Sequence, residues 1–166
     1  LVRSCFNCNE KYIKLLIDQG ANVNYKNDRK ISGIINACKS GKIETVKLLL
    51  KYKVDIETTD ENGNTPLIIA CIFEKSDIVK LLIDKKANIN RNNLKKKNAL
   101  LCACKQLNIK SVKYLIDSGA KLEVRDNLDK KPLINACESG STNIARLLIN
   151  LGCSINQYVK KLEHTI

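Results

Sequence analysis

Methionine and tryptophan are missing from this chain of 166 residues, which also holds only two phenylalanines, two prolines and one histidine. With five tyrosines the aromatics reach 4%. A core must therefore be aliphatic, and stacking on single-stranded nucleic acid has few rings to work with. No run of about 18 apolar residues occurs, which excludes an ordinary membrane-spanning helix. The opening "LVRSCFNCNE" lacks the pattern of a secretory leader. The one histidine, His164, lies near the C-terminus, remote from the cysteines, and no hydroxyl nucleophile has a base beside it. No glycine-rich phosphate loop is present, "ENGN" being a turn. Catalysis, metal and cofactor are accordingly not expected.

Positive charge is abundant. Lys and Arg number 29 against 17 Asp and Glu, a net charge of +12. Such a balance attracts nucleic acid, anionic lipid or acidic protein. Yet 24 of the 29 are Lys, alongside much Asn and Ile, a composition that A/T-rich coding also produces. The 44% hydrophobic content suffices for one domain of ordinary size.

Internal repetition organises the rest. Ala37, Ala70, Ala103 and Ala136 are spaced by 33, each followed by Cys, and one step back lies Ser4-Cys5. Leu15-Leu16, Leu48-Leu49, Leu81-Leu82, Tyr114-Leu115 and Leu147-Leu148 recur at the same interval. Five units follow without insertion or deletion, approximately 1–26, 27–59, 60–92, 93–125 and 126–158, with 159–166 a tail or the start of a sixth. In the clearest unit, "NTPLIIACIF" begins with Thr65 as N-cap and Pro66 at the first helical position. This predicts a short helix ending near Phe73–Lys75. "SDIVKLLIDKK" predicts a second helix burying Ile78, Leu81 and Leu82. Gly20 and Gly119 suit helix C-termini that need positive φ. Neither end of the array carries a polar cap and no Met stands at position 1, so the chain reads as a piece of a longer protein.

The unit "DENGNTPLIIACIFEKSDIVKLLIDKKANIN" resembles the ankyrin repeat, with its Asp-x-x-Gly-x-Thr-Pro-Leu opening and Val-x-x-Leu-Leu second helix. The resemblance runs from residue 1 to about 157. It departs at Ser32-Gly33 and Asn98-Ala99, where Thr-Pro would stand, and at Ile35, Ile68, Leu101 and Ile134, which replace the family's histidine and exchange a polar link for apolar burial. It implies an all-α solenoid of stacked helix pairs with β-turn fingers, and a monomeric, non-enzymatic scaffold for protein interaction. It further implies hydroxylation of hairpin asparagines in some members, which falls on Asn24, Asn90 and Asn156.

Eight cysteines allow two readings. Five form the 33-residue ladder, where helix spacing of roughly 8–10 Å is too wide for one zinc with bonds of about 2.3 Å. Cys5-x-x-Cys8 has half a zinc site's spacing but no matching second pair, and Cys102 and Cys104 point to different helix faces. Packing is the expected role, and free thiols point to a reducing intracellular compartment, cytoplasm or nucleus.

Function must come from the surface. Lys14, Lys47, Lys80, Lys113 and Arg146 form a ladder expected on the solvated outer face, with Glu44 and Asp77 pairing Lys47 and Lys80. The family's binding positions map onto fingertips and the solvent side of the first helices. The candidates are Arg29, Ile31, Glu61, Asn64, Leu94, Lys95, Lys97, Leu128 and Lys130 on fingers, and Phe6, Lys39, Ile72, Phe73, Lys105 and Gln106 on helices. Arg29-Lys30, Lys95-Lys96-Lys97 and Lys130-Lys131 make a discontinuous basic strip. Ile72 and Phe73 are either an apolar anchor ringed by charge, or Phe73 folds over the helix end or a neighbouring finger. The leading expectation is a scaffold that binds a partner protein of acidic character on this face. The alternatives are a basic surface for nucleic acid or anionic lipid, and the targeting arm of a larger protein, such as a substrate adaptor or host-range factor.

Overall fold

The computed structural model describes residues 1–7 and 10–154; Cys8, Asn156, His164 and the segment from 155 onward lie outside them. Ten helices are formed among the described residues. The inner ones are α1 (Val2–Asn7), α3 (Gly33–Ser40), α5 (Pro66–Ile72), α7 (Ala99–Lys105) and α9 (Pro132–Glu138). The outer ones are α2 (Glu10–Asp18), α4 (Ile43–Lys51), α6 (Ser76–Asp84), α8 (Ile109–Asp117) and α10 (Thr142–Asn150). Each inner helix packs on its own outer helix and on the inner helices before and after it, and the outer helices stack likewise. The fold is an all-α solenoid of stacked helix pairs.

The two layers differ because their surroundings differ. An inner helix is covered by neighbours on both sides and by its outer partner, so α5 and α7 are apolar nearly all round, with Leu67, Ile68, Ala70 and Cys71, then Leu100, Leu101, Ala103 and Cys104, removed from water. Outer helices bury one stripe. In α6 it is Ile78, Val79 and Leu82. Leu81, expected on that stripe, is half-exposed on its shoulder, while the second leucine of each later pair (Leu49, Leu82, Leu115, Leu148) fills the interlayer space. Each such leucine stabilises the fold by about 1.5–3 kcal/mol. The apolar replacements for histidine, Ile35, Ile68, Leu101 and Ile134, are all buried, so the polar link is indeed exchanged for core.

Helix starts follow the sequence signals. Thr65 Oγ1 accepts from Ile68 N at 3.3 Å and Asn98 Oδ1 from Leu101 N at 3.0 Å, each satisfying a donor that has no helical partner. Ser32 caps with backbone only, and Lys131 stands at the same position before Pro132. Gly33 follows Ser32 because a Cβ there would lie 2.9 Å from Cys5 Sγ.

Among the described residues the reversals of the chain use the left-handed region. Inner helices end at Gly41, Glu74, Leu107 and Gly140, outer ones at Gly20, Lys53, Lys86, Gly119 and Gly152, and the fingers turn at Lys30, Gly63, Lys96 and Asp129, all with positive φ. Seven of these residues are not glycine, so the repeat geometry imposes the conformation even where the side chain resists it. Strand is nearly absent: among the described residues one isolated bridge joins Lys26 to Ser32.

Candidate functional site

Each finger hangs on one Asx side chain. Asn27 Oδ1 accepts from the amides of Arg29 and Ile31, Asp60 Oδ1 from Asn62 and Asn64, Asn93 Oδ1 from Lys95 and Lys97, and Asp126 Oδ1 from Leu128 and Lys130. Such bonds fix a turn that would otherwise fluctuate. Neighbouring fingers are then joined through backbone, Leu94 N to Asn62 O at 3.0 Å and Asn127 N to Lys95 O at 3.2 Å. The fingertips form a fixed edge, which raises Leu94 (77% exposed) and Leu128 (66%) into solvent.

Between the third and fourth fingers and the inner helices behind them lies a cleft of about 280 Å³. Ile72 and Cys102 supply its apolar wall, and Lys95, Lys97, Lys105 and Gln106 its polar one, with Asn62, Asn64 and Asn93 at the finger bases. Lys97 Nζ lies 3.6 Å from Asp126 Oδ2, a carboxylate shut off from solvent. Lys95 and Lys105 are exposed. Burial pushes the Cys102 thiol up to about 11, an effect that Lys97 and Lys105 oppose and Asp126 reinforces. Cys71 and Cys104 are buried in the core and pushed well above the usual thiol range by desolvation, and Cys38 likewise. They stay protonated and act as small hydrophobes. Cys102 and Cys104 thus do face different ways, one towards the cleft and the other into the core. Among the described residues no group of three or more His, Cys, Asp or Glu is placed to hold a metal ion.

The other candidates scatter. Phe73 does not line the cleft; it is half-buried against the core, and Lys39 Nζ lies 5.2 Å from its ring centroid. Asn64 is buried, donating to Asp60 Oδ2 and accepting from Asn93 Nδ2, so its polar atoms are committed to the fingers. Ile31 is half-buried against the core. Arg29, Glu61 and Phe6 are exposed away from the cleft's lining. The basic strip is shorter than the sequence suggests: Lys130 is paired with Glu138 and the buried Lys131 with Glu123. Asp77, expected beside Lys80, instead pairs with Lys110 of the next repeat at 2.9 Å. Lys80 lies over Tyr114, 5.9 Å from its centroid. Glu44 and Lys47 pair as expected at 2.7 Å. Asn93 and Cys102 were not among the candidates; Asn93 was legible from its register with Asn27, Asp60 and Asp126, whereas nothing in sequence marked Cys102 as facing a cleft.

The hairpin asparagines are tied into the stack. Asn24 Oδ1 accepts from Asp55 N at 2.8 Å and Asn90 Oδ1 from Lys121 N at 2.9 Å. Glu57 and Glu123 serve the amides of Asn88 and Ser154 at the intervening steps.

Stacked helix pairs, left-handed reversals and Asx-pinned fingers define a repeat scaffold. The family profile described as ankyrin repeats (3 copies) matches residues 1–93 and 90–158, and the chain belongs to the ankyrin repeat family. These repeats are in general modules of protein–protein interaction and typically non-enzymatic. No curated protein matches the chain. No helix among the described residues is long and apolar enough to cross a membrane.

Proposed function

We propose that the chain is a non-catalytic docking module that seats an acidic segment of a partner protein along its fingers and inner helices, centred on the cleft between the third and fourth fingers. One observation carries this reading: Ile72 stands in the wall of a cleft whose mouth holds Lys95, Lys97 and Lys105. An apolar anchor point with charge around it is the composition of an interface hot spot, and the lysines steer an anionic partner toward it. The flanking Leu94 and Leu128 extend the apolar contact along the tips. A reducing intracellular compartment suits the free thiols.

Proximity labelling in the native cell tests the assignment. Proteins labelled by the wild type should be lost from the set labelled by Lys95→Glu combined with Lys105→Glu, two exposed changes that leave the fold intact. An unchanged set would remove the cleft from consideration. Nucleic acid recovered with the wild type and lost at raised salt would favour a polyanion instead.

A further inference from the structure

The four junctions between successive outer helices use equivalent positions, and the second departs from the others. At the first, the Tyr52 hydroxyl at the end of α4 donates to Asp18 Oδ1 of α2 at 2.8 Å, tying the two helices. One repeat later the same positions hold Lys85 and Lys51. At the third and fourth they hold Ser118 with Asp84 and Leu151 with Asp117. A carboxylate is therefore kept at every junction except the second, where two ammonium groups share one groove. On the apolar side the third junction is the exception, with Tyr114 under Lys80 where the first, second and fourth carry Leu48, Leu81 and Leu147.

With lysine in place of both the bridging tyrosine and its carboxylate, and leucine where the third junction has tyrosine, the space between α4 and α6 forms a groove of about 640 Å³. Its floor is Leu50, Val54, Ile56 and Leu81, and Lys47, Lys51 and Lys85 rim it. Lys47 is held by Glu44, but neither Lys51 nor Lys85 has an acidic partner among the described residues. Like charges on one groove repel, and an anion between them lowers both ammonium energies.

We propose that this groove is a second docking surface, on the outer-helix layer, which takes an acidic protein segment inserting one large apolar side chain. Carboxylates lie between Lys51 and Lys85, and the side chain rests on Leu81 and Ile56, filling the room that Tyr114 takes one junction later. The apolar floor selects a polypeptide over a lipid headgroup or phosphate backbone, which would satisfy the lysines and leave the floor wet. The groove shares no residue with the finger cleft, so the two assignments stand or fall separately.

The experiment rebuilds the first junction at the second. Lys51→Asp with Lys85→Tyr restores the tyrosine–carboxylate pair that the fold already accommodates, and circular dichroism and thermal melting check folding. The probe is a Glu-rich peptide with one central Phe, titrated into the isotope-labelled full chain and followed by NMR and calorimetry. Saturable shifts should map to Leu50, Ile56 and Leu81. Read at those residues, the rebuilt variant should bind about tenfold more weakly or worse, Leu81→Tyr should weaken binding in the same direction, and Lys121→Glu, an exposed charge reversal outside both sites, should leave it unchanged. The proposal fails if the shifts at these groove residues saturate in the rebuilt variant as they do in the wild type, or if the groove residues do not shift at all, whatever happens at the finger cleft. It fails equally if a peptide with Ser in place of Phe binds as tightly, or if anionic vesicles or RNA perturb the same amides at lower concentration.

Discussion

Asn93 donates its Nδ2 to Asn64 Oδ1 at 2.7 Å, and through this bond two neighbouring fingers share one polar network. Asn64 passes the link to Asp60 at 2.9 Å, while Asn93 Oδ1 accepts from the amides of Lys95 and Lys97. Two of the three lysines at the cleft mouth, Lys95 and Lys97, are therefore placed by an amide that carries no charge itself. Asn93→Ala removes the bonds that the Asn93 side chain makes to Asn64, Lys95 and Lys97 and leaves Asn64 Oδ1 short of a donor, at a cost of about 1–3 kcal/mol. Asn93→Asp keeps the acceptor role that Asp60 and Asp126 fill in their own fingers but gives up the donor to Asn64 Oδ1, so it should fall between Asn93→Ala and the wild type. Urea unfolding of the two variants distinguishes them, and equal losses would mean that turn pinning is not what Asn93 contributes.

Glycine and non-glycine residues share the left-handed positions, which makes a paired prediction. Gly63 has φ +76, and a Cβ there would lie 3.0 Å from Leu94 N and 3.1 Å from Leu94 Cγ. Gly63→Ala thus meets both backbone strain and a neighbour fixed by its own bond to Asn62, and should destabilise by about 1–2 kcal/mol. Leu107, with φ +59 and an exposed side chain, gives the converse. Leu107→Gly should stabilise by about 1 kcal/mol, the relief of strain exceeding the entropy glycine adds to the unfolded chain. Thermal melts of the two variants should move in opposite directions; a lower melting temperature for Leu107→Gly would refute the strain argument.

The thiols divide by burial. Cys38, Cys71 and Cys104 are sealed in the core with their thiols pushed up by desolvation, whereas Cys137 is half-buried. A thiolate is needed for alkylation, so among the described cysteines Cys137, the least buried, should label first in the native protein, and the core three only as fast as the chain unfolds. Peptide mapping after timed exposure to an alkylating reagent reads the order. Early labelling of Cys71 would contradict its place between the layers.

The 33-residue register made the helices, their stacking and the thiol ladder readable, because each repeat restates the same packing problem. What it could not supply was pairing across repeats. Asp77 reaches Lys110 rather than Lys80 because the next outer helix brings a lysine alongside it, and Lys130 is drawn to Glu138 behind its own finger. Burial was also blurred where a stripe has shoulders: Leu81 and Leu82 look alike in sequence, and only the second faces the inner layer. Of the Ile72–Phe73 pair, sequence marked both, and the end of α5 lets only Ile72 into the cleft's lining. The departure at Lys51 and Lys85 was present in the register all along, but its meaning depends on Tyr52 reaching Asp18, a contact that spacing alone does not reveal.

Lys131 stands where other repeats place Ser32, Thr65 and Asn98, and its Nζ is bonded to Glu123 Oε2. Glu123 Oε1 accepts from Ser154 N at 3.3 Å. The bond from Lys131 holds the Glu123 carboxyl below the usual glutamate range; desolvation opposes it, and the Ser154 amide and the Lys131 and Arg125 charges add smaller contributions in the lowering direction. A carboxylate with a lowered folded pKa stabilises the fold while ionised. That contribution is complete above the unfolded value of about 4.3, and is lost as pH falls from there through the lower folded value. Because the Glu123 side chain is 51% exposed, water screens the pair and the contribution is up to about 1 kcal/mol. Glu123→Gln should therefore lower the urea midpoint at neutral pH, and the gap to the wild type should close on acidification below the glutamate range. A gap that persists undiminished in acid would assign the loss to the Ser154 bond or to packing rather than to the ion pair.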